Sequence, residues 1–115
     1  MDMNNNILLL PHSTGIAVID INSIIRVEAI SNYSKLFFTN GKTLVVAKVL
    51  KWFETVLAGK GFTRIHRSHL INMQWVESCS YLPQLKIVLH NQEQLSVSRR
   101  KKGEVIKTLL ITTAA

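Results

Sequence analysis

Two short segments of the chain combine basic residues at spacings that suit the binding of a polyanion. The first basic segment reads FTRIHRSHLIN and runs from Phe62 to Asn72, and the second reads LSVSRRKKGE and runs from Leu95 to Glu104. Each leads out of an apolar alternating run and then places several cations close together. Clustered Arg and Lys side chains on a rigid scaffold suit a series of phosphates better than one small substrate.

The second basic segment places four cations where a helix is predicted to begin. Ser98 is a candidate N-cap residue, and the cations of Arg99 to Lys102 would then fill the first helical turn. The helix dipole disfavours positive charge there by roughly 0.3–1 kcal/mol per residue, so stability alone would favour acids. A phosphate bound at that end would satisfy both the free backbone N–H groups and the side chains. The alternative is an ordinary solvated run of charge.

The first basic segment contains the sequence HRSH, in which His66 and His69 are three residues apart. That spacing could bind a metal on a helix, but residues 62–67 alternate as a strand does, and strand positions three apart face opposite sides. No third ligand of suitable spacing is evident, so we expect no metal and assign each histidine to packing or hydrogen bonding. Arg67 offers a planar set of donors that matches a phosphate or a guanine edge, with a surface ion pair as the alternative.

A polar break, Ser31-Asn32-Tyr33-Ser34-Lys35, separates two predicted strands. Its amide, hydroxyl and ammonium groups could reach base edges or phosphates. Most such clusters are simply loops, so this cluster alone does not indicate a binding site.

Composition indicates one domain whose positive charge lies in its C-terminal half. The 115 residues carry a formal net charge of +7, and 47% of them are hydrophobic, which is enough to bury a modest core. Residues 60–115 hold nine Lys or Arg and three acids, whereas residues 1–59 hold five and four. Such a distribution points to nucleic acid, an anionic surface or an acidic partner.

Several classes of function find no support in the sequence. Cys79 is the only cysteine, so neither an internal disulfide nor a zinc cluster is expected. A signal peptide and a membrane span are not expected either, and the chain is predicted to be soluble and cytoplasmic. The sequence has no Gly-rich phosphate loop, nucleophile elbow or H-E-x-x-H. We therefore expect no enzymatic activity and no cofactor.

Short strands are predicted to position these groups, because alternating and β-branched runs dominate the chain. Asn40-Gly41 predicts a hairpin with a type I′ turn. Apolar residues at helical spacing predict one central amphipathic helix and a short C-terminal helix, so the predicted fold is mainly antiparallel β with two helices. The predicted strands cover residues 15–21, 24–30, 35–38, 43–46, 62–66, 76–82, 85–90 and 95–98, and the helical faces carry Val49, Leu50, Phe53, Val56 and Leu57, then Val105, Ile106, Leu109 and Leu110.

In this order, the pieces VEAISNYSKLFFTNGK, the amphipathic helix, FTRIHRSHLIN and LSVSRRKK resemble the LytTR domain. LytTR is the DNA-binding domain of bacterial transcriptional regulators of the LytR/AgrA kind. The resemblance covers residues 21–110, and the spaced pair HRSxLIN and SVSRR is its most specific part. It implies an elongated fold of antiparallel β-sheets that reads the major groove of DNA with loop side chains rather than a recognition helix. Residues 1–20 would then be an N-terminal extension with an edge strand, and residues 111–115 a C-terminal tail.

The resemblance also implies roles for individual residues. Base contacts are expected from Arg67, from Arg99 and from either Ser34 or Lys35. Contacts mostly to phosphate are expected from Asn32, Tyr33, Ser68, Arg100, Lys101 and Lys102. Arg64, Ile65, Leu70 and Ile71 are expected to belong to the scaffold, and His66 to orient the loop.

The predicted function is sequence-specific binding of double-stranded DNA by a transcription regulator. Paired repeat half-sites and a second copy of the chain on DNA are expected, and an upstream signalling protein is a candidate partner. Family members commonly carry a receiver or sensor domain first, but only about twenty residues precede the resemblance here, so phosphorelay control is expected only if the chain is a fragment of a longer regulator. The alternative is a basic module that binds an acidic protein. RNA is less favoured because the basic segments lack interleaved aromatic residues.

Overall fold

The computed structural model describes the backbone of residues 6–113 and the side chains of residues 6–110. Two helices and ten strands make up most of this part of the chain. The strands are β1 Ile7–His12, β2 Gly15–Asp20, β3 Ile24–Ile30, β4 Tyr33–Phe38, β5 Thr43–Val46, β6 Phe62–His66, β7 His69–Asn72, β8 Val76–Ser80, β9 Lys86–Leu89 and β10 Gln94–Ser96. The helices are α1 Leu50–Val56 and α2 Lys102–Thr113, and short 3₁₀ turns occupy Ile21–Ser23, Met73–Trp75 and Arg99–Lys101.

The strands form three antiparallel sheets. The central sheet has five strands in the order β5-β4-β3-β7-β6, β1 pairs with β2, and a smaller sheet has the order β10-β9-β8. The molecule measures 45 × 37 × 24 Å along its principal axes. The predicted fold class, a mainly antiparallel β domain with a central and a C-terminal helix, is confirmed. Between residues 6 and 113, no helix is long and apolar enough to cross a membrane.

Two hydrophobic cores lie on opposite faces of the central sheet. Strand β7 shows why, since its consecutive residues Leu70 and Ile71 are both buried but belong to different cores. Successive side chains of a strand point to opposite faces, so a strand covered on both sides becomes continuously apolar. The first core contains Leu10, Ile24, Leu36, Phe53 and Leu57 and packs β1, β2 and α1 on one face. The second contains Ile65, Ile71, Ile87, Leu89 and Val105 and packs the small sheet and α2 on the other.

The predicted hairpin between β4 and β5 is present, but the predicted type I′ turn is wrong. That turn needs positive φ at both central residues, whereas Gly41 has a φ of 85° and Asn40 is not in the positive-φ region. The Phe38 N–H donates to the Lys42 carbonyl and the Gly41 N–H to the Phe38 carbonyl, each at 3.0 Å. The loop therefore has three residues, with a tight turn followed by one left-handed glycine.

Two other segments differ from the prediction. The polar break shrinks to Ser31 and Asn32, because Tyr33 and Ser34 already pair with Ile30 and Ala29 in the β3–β4 ladder. Strand β7 was not predicted as a strand, since its four residues are too few to show a period. In the expected N-terminal extension, β1 and β2 form a hairpin, and the expected C-terminal tail begins within α2. Residues 1–5 and 114–115 of those two segments lie outside the described residues.

Candidate nucleic-acid interface

Two turns that carry predicted site residues emerge at the same end of the central sheet. Strand β3 is antiparallel to both β4 and β7, so its last residues lie beside the first residues of both neighbours. The β3–β4 turn contains Ser31 and Asn32, and the β6–β7 turn contains Arg67 and Ser68. The Ala29 N–H donates to the Ser68 carbonyl at 2.9 Å, which ties the second turn to the end of β3.

A β-bulge brings the second basic segment to the same place. Between Arg64 and His66 the β6–β7 register shifts, so Ile65 has no partner on β7. A bulged residue leaves the ladder and its backbone groups become available to other partners. Here the Ile65 carbonyl accepts the Ser98 N–H at 2.9 Å. The structure therefore unites the three segments that the sequence analysis singled out.

An open cleft between α1 and the two basic segments collects five cations and one acid. Its lining consists of Lys51, Glu54, Arg64, His66, Arg67, Ser98, Arg100 and Lys101. Lys51 was not among the predicted site residues, although its side chain is 78% exposed. Its place on the polar face of α1 was visible in the sequence, but where that face points depends on how α1 packs. This concentration of positive charge suits the phosphates of a nucleic acid.

Arg99 and Lys102 lie on the surface adjoining this cleft. Together with His66 and the β8–β9 loop residues Tyr81 and Gln84, these two residues line a second open pocket. Ser98 has the extended backbone of an N-cap residue, and its carbonyl accepts the Lys101 N–H at 3.0 Å, but its side chain forms no capping hydrogen bond. Within the second basic segment, a 3₁₀ turn of three cations thus precedes α2, which starts at Lys102.

Arg67 and Arg99 are both exposed. Within residues 6–110, neither side chain forms an ion pair, which removes the surface ion pair as an explanation of Arg67. Lys101 does have a carboxylate nearby, since its Nζ lies 3.6 Å from Glu104 Oε2. The exposed guanidinium groups of Arg67 and Arg99 therefore have donors that are free for a ligand.

Ser34, one of the two residues expected to contact a base at this position, points into the protein rather than toward the interface. Its side chain is fully buried, and its hydroxyl donates to the Lys48 carbonyl at 2.6 Å. A polar residue is accepted at this buried position because that hydrogen bond satisfies it. Lys35 follows it on the opposite face of β4, with its Nζ 5.1 Å from the centroid of the Phe37 ring. Asn32 and Tyr33 are exposed at the neighbouring turn.

The sequence model of the LytTr DNA-binding domain matches residues 14–110 of the chain. This chain belongs to the LytTR DNA-binding domain family. A solved structure, the LytTr DNA-binding domain of a putative methyl-accepting/DNA response regulator from Bacillus cereus, has the same fold, with a TM-score of 0.75 and 20% sequence identity. The match covers 90% of this chain and 96% of that one. No curated protein matches the chain.

The two histidines of this LytTR domain stand side by side, so the expectation that they face opposite sides is wrong. The hairpin turn at Arg67 and Ser68 reverses the chain and pairs His66 with His69 across the ladder. Their ring centroids are 5.3 Å apart. His66 Nδ1 accepts the Ser68 N–H at 3.1 Å, so this ring braces the turn. Within residues 6–113, no group of three or more His, Cys, Asp or Glu could hold a metal ion.

Acidification is expected to destabilise the LytTR domain through His69. Burial lowers the pKa of His69 below 6.5, and the neighbouring charges of His66 and Arg26 act in the same direction, while Glu28 opposes them. The stability gained from a neutral His69 is therefore complete above about pH 6.5 and declines as the pH falls, because the unfolded chain binds a proton that the folded chain resists. Urea denaturation at pH 7.5 and pH 5.5 measures this decline.

Two variants test the assignment to His69. His69→Tyr should reduce the difference between the two pH values, because tyrosine stays neutral across that range. His12→Gln, at an exposed residue of the β1–β2 hairpin, should leave the difference as it is in the wild type. An unchanged difference in His69→Tyr would assign the acid sensitivity to other groups.

Proposed function

We propose that this LytTR domain binds duplex DNA sequence-specifically as part of a transcription regulator, with bases read in the major groove by side chains from turns. The observation that carries the proposal is the meeting of three segments, the Ser31–Asn32 turn, the Arg67–Ser68 turn and the Arg99–Lys101 turn, at one end of the central sheet. Membership of a DNA-binding family supplies the ligand class. A regulator of this kind would act in the bacterial cytoplasm, where its DNA is.

Direct base contacts fall to Arg67 and Arg99, with Lys35 as a third. Both arginines are exposed and carry unpaired guanidinium groups on turns that are anchored to the sheet by backbone hydrogen bonds. Two parallel donors of one arginine match the O6 and N7 acceptors of guanine, which is the commonest specific contact in the major groove. We therefore expect at least one guanine in the preferred half-site.

Phosphate contacts supply much of the affinity in this proposal. The residues assigned to them lie beside the base contacts and are exposed or partly exposed. Lys51 joins them because it lines the same cleft as Arg67 and Arg100. The full set is Asn32, Tyr33, Lys51, Ser68, Arg100, Lys101 and Lys102.

Binding is expected to weaken steeply as salt is added. If the basic groups neutralise about four phosphates, log K should fall against log salt with a slope near −3.6. Fluorescence anisotropy on one labelled duplex from 50 to 300 mM potassium chloride measures that slope. Removing one phosphate contact, as in Arg100→Gln, should make it shallower by about 1. A wild-type slope near zero would contradict the electrostatic part of the proposal.

Selection of bound duplexes from a random pool tests sequence specificity directly. The expected result is an enriched motif that appears as two repeated half-sites, because one domain covers few base pairs and a second copy would bind beside the first. Enrichment of a single half-site would support base readout without the second copy. No enrichment would overturn the proposal and would favour a basic surface for an acidic protein partner.

A further inference from the structure

Arg64 lines the basic cleft, yet each of its three guanidinium nitrogens donates a hydrogen bond within the protein. Its side chain is 19% exposed. Nε donates to the His66 carbonyl at 3.2 Å, one terminal nitrogen donates to the Arg67 carbonyl at 2.6 Å, and the other to Glu54 Oε1 at 3.0 Å. Three of its five N–H donors are thereby used, so this guanidinium has fewer donors for a phosphate than an unpaired arginine has.

The two carbonyls that Arg64 holds belong to Arg67 and to His66, the last residue of β6 before the turn. That turn has only two residues, Arg67 and Ser68, and it follows directly on the bulge at Ile65. The β6–β7 ladder is interrupted there, so pairing with β7 fixes the turn less firmly than it would fix a regular hairpin. His66 Nδ1 and the Ala29 N–H hold the backbone of Ser68 from the other side. Arg64 therefore supplies the bonds that fix the backbone on the Arg67 side.

Glu54 connects this arrangement to α1. The helix is a firm anchor because its residues Leu50 and Phe53 are buried in the first core. The carboxylate of Glu54 directs the guanidinium of Arg64, and Lys51 Nζ lies 3.9 Å from the same oxygen. A side chain held from both the core helix and the turn cannot easily change rotamer.

We propose that Arg64 is a positioning residue, which never touches DNA but holds the turn so that Arg67 is preorganised to read a base, with Glu54 as its anchor. The proposal rests on the base readout by Arg67 proposed above. Preorganisation raises affinity by reducing the ordering that binding must otherwise impose. It does so only for the ligand that uses the ordered conformation. Loss of Arg64 should therefore reduce the preference for the selected sequence and leave binding to other sequences nearly intact.

The test compares Arg64→Lys and Glu54→Gln with the wild type on the selected duplex and on a scrambled one. Arg64→Lys keeps the charge but cannot reach two carbonyls and a carboxylate together. We expect it to lose about tenfold in affinity for the selected duplex, with less than about twofold loss on the scrambled one and an unchanged salt slope. Glu54→Gln should lose a few-fold in the same direction. Arg100→Gln is the contrast, since loss of a phosphate contact should weaken both duplexes equally and make the slope shallower by about 1.

Equal losses on both duplexes in Arg64→Lys would overturn the proposal and make Arg64 a phosphate contact. Amide hydrogen exchange of Ser68, whose N–H is bonded to His66, gives a second result that needs no DNA. It should become about tenfold faster in Arg64→Lys, while exchange in the buried part of β7 stays as in the wild type. An unchanged rate would also overturn the proposal. If the wild type enriches no sequence, the base readout fails, while the exchange rates still decide whether Arg64 holds the turn.

Discussion

Replacing Arg67 by alanine is expected to weaken binding to the selected duplex by about 1–3 kcal/mol, which is roughly 5- to 160-fold. The reason is geometric, because Arg67 stands on a two-residue turn whose backbone is held by Arg64 and by the end of β3. A side chain presented in this way can place two donors against one base edge. Anisotropy measurements on the selected duplex, and on duplexes changed at one base pair at a time, measure both the loss and its location.

The location of the loss distinguishes base readout from phosphate binding. If Arg67 reads a base, the alanine variant should bind the duplexes changed at that base pair as well as it binds the original. Arg99→Ala should show the same behaviour at a different base pair, because Arg99 lies on a separate turn. Arg67→Lys is the matched control, since it keeps the charge but not the paired donors. Equal losses on all sequences would instead make Arg67 a phosphate contact.

The fold could be predicted from the sequence wherever a strand or helix shows a hydrophobic period within its own residues. The strands β3 and β9, the β4–β5 hairpin and the buried face of α1 were all visible as alternation or as helical spacing. Strand β7 was not, because a strand of four residues shows little period and both of its faces are buried. The turn type between β4 and β5 was also missed. Asn-Gly permits positive φ at two positions, but the register of the flanking strands left only Gly41 to adopt it.

Some residues of the predicted site could be placed from the sequence, and others could not because their exposure depends on packing. The exposed cations Arg67 and Arg99 could be found from composition and from the family resemblance, because a charged side chain at a turn is normally exposed to solvent. Ser34 and Lys51 could not be placed, because burial depends on which face of β4 or α1 packs against the core. The pairing of His66 with His69 was missed for another reason. The alternation of side chains along a strand does not hold across Arg67 and Ser68, where the chain reverses direction.

The union of the three segments also depends on the small sheet being held against the central one. Arg26 on β3 makes this connection and is only 5% exposed. Its guanidinium donates to Glu28 at 2.7 Å and to Glu93, in the β9–β10 turn, at 2.8 Å, and its Cζ lies 3.7 Å from the centroid of the Phe37 ring. The hydrogen bond from Arg26 lowers the pKa of Glu93. A buried arginine thus joins the central sheet, which contains β6, to the small sheet, which contains the first part of the second basic segment.

Arg26→Ala is therefore expected to reduce the free energy of unfolding by about 2–4 kcal/mol. Removing one partner of a buried ion pair costs about 3–5 kcal/mol when the other partner stays buried. The expected loss for Arg26→Ala is smaller than that range because the side chains of Glu28 and Glu93 are 32% and 39% exposed and can be hydrated. Urea denaturation at pH 7 measures the loss. Arg26→Lys should fall between wild type and alanine, since it keeps the charge without the bidentate contact.

Two further measurements separate this ion pair from simple loss of volume. Arg100→Ala, at an exposed position, should stay within about 0.5 kcal/mol of the wild type. The stability supplied by Glu93 is present above the ordinary carboxyl pKa of 4.5 and is lost as the pH falls through its lower value in the folded protein. Wild-type stability should therefore decline below about pH 4.5 more steeply than that of Arg26→Ala. A parallel decline in both proteins, together with a loss below about 1 kcal/mol at pH 7, would mean that water replaces Arg26 at little cost.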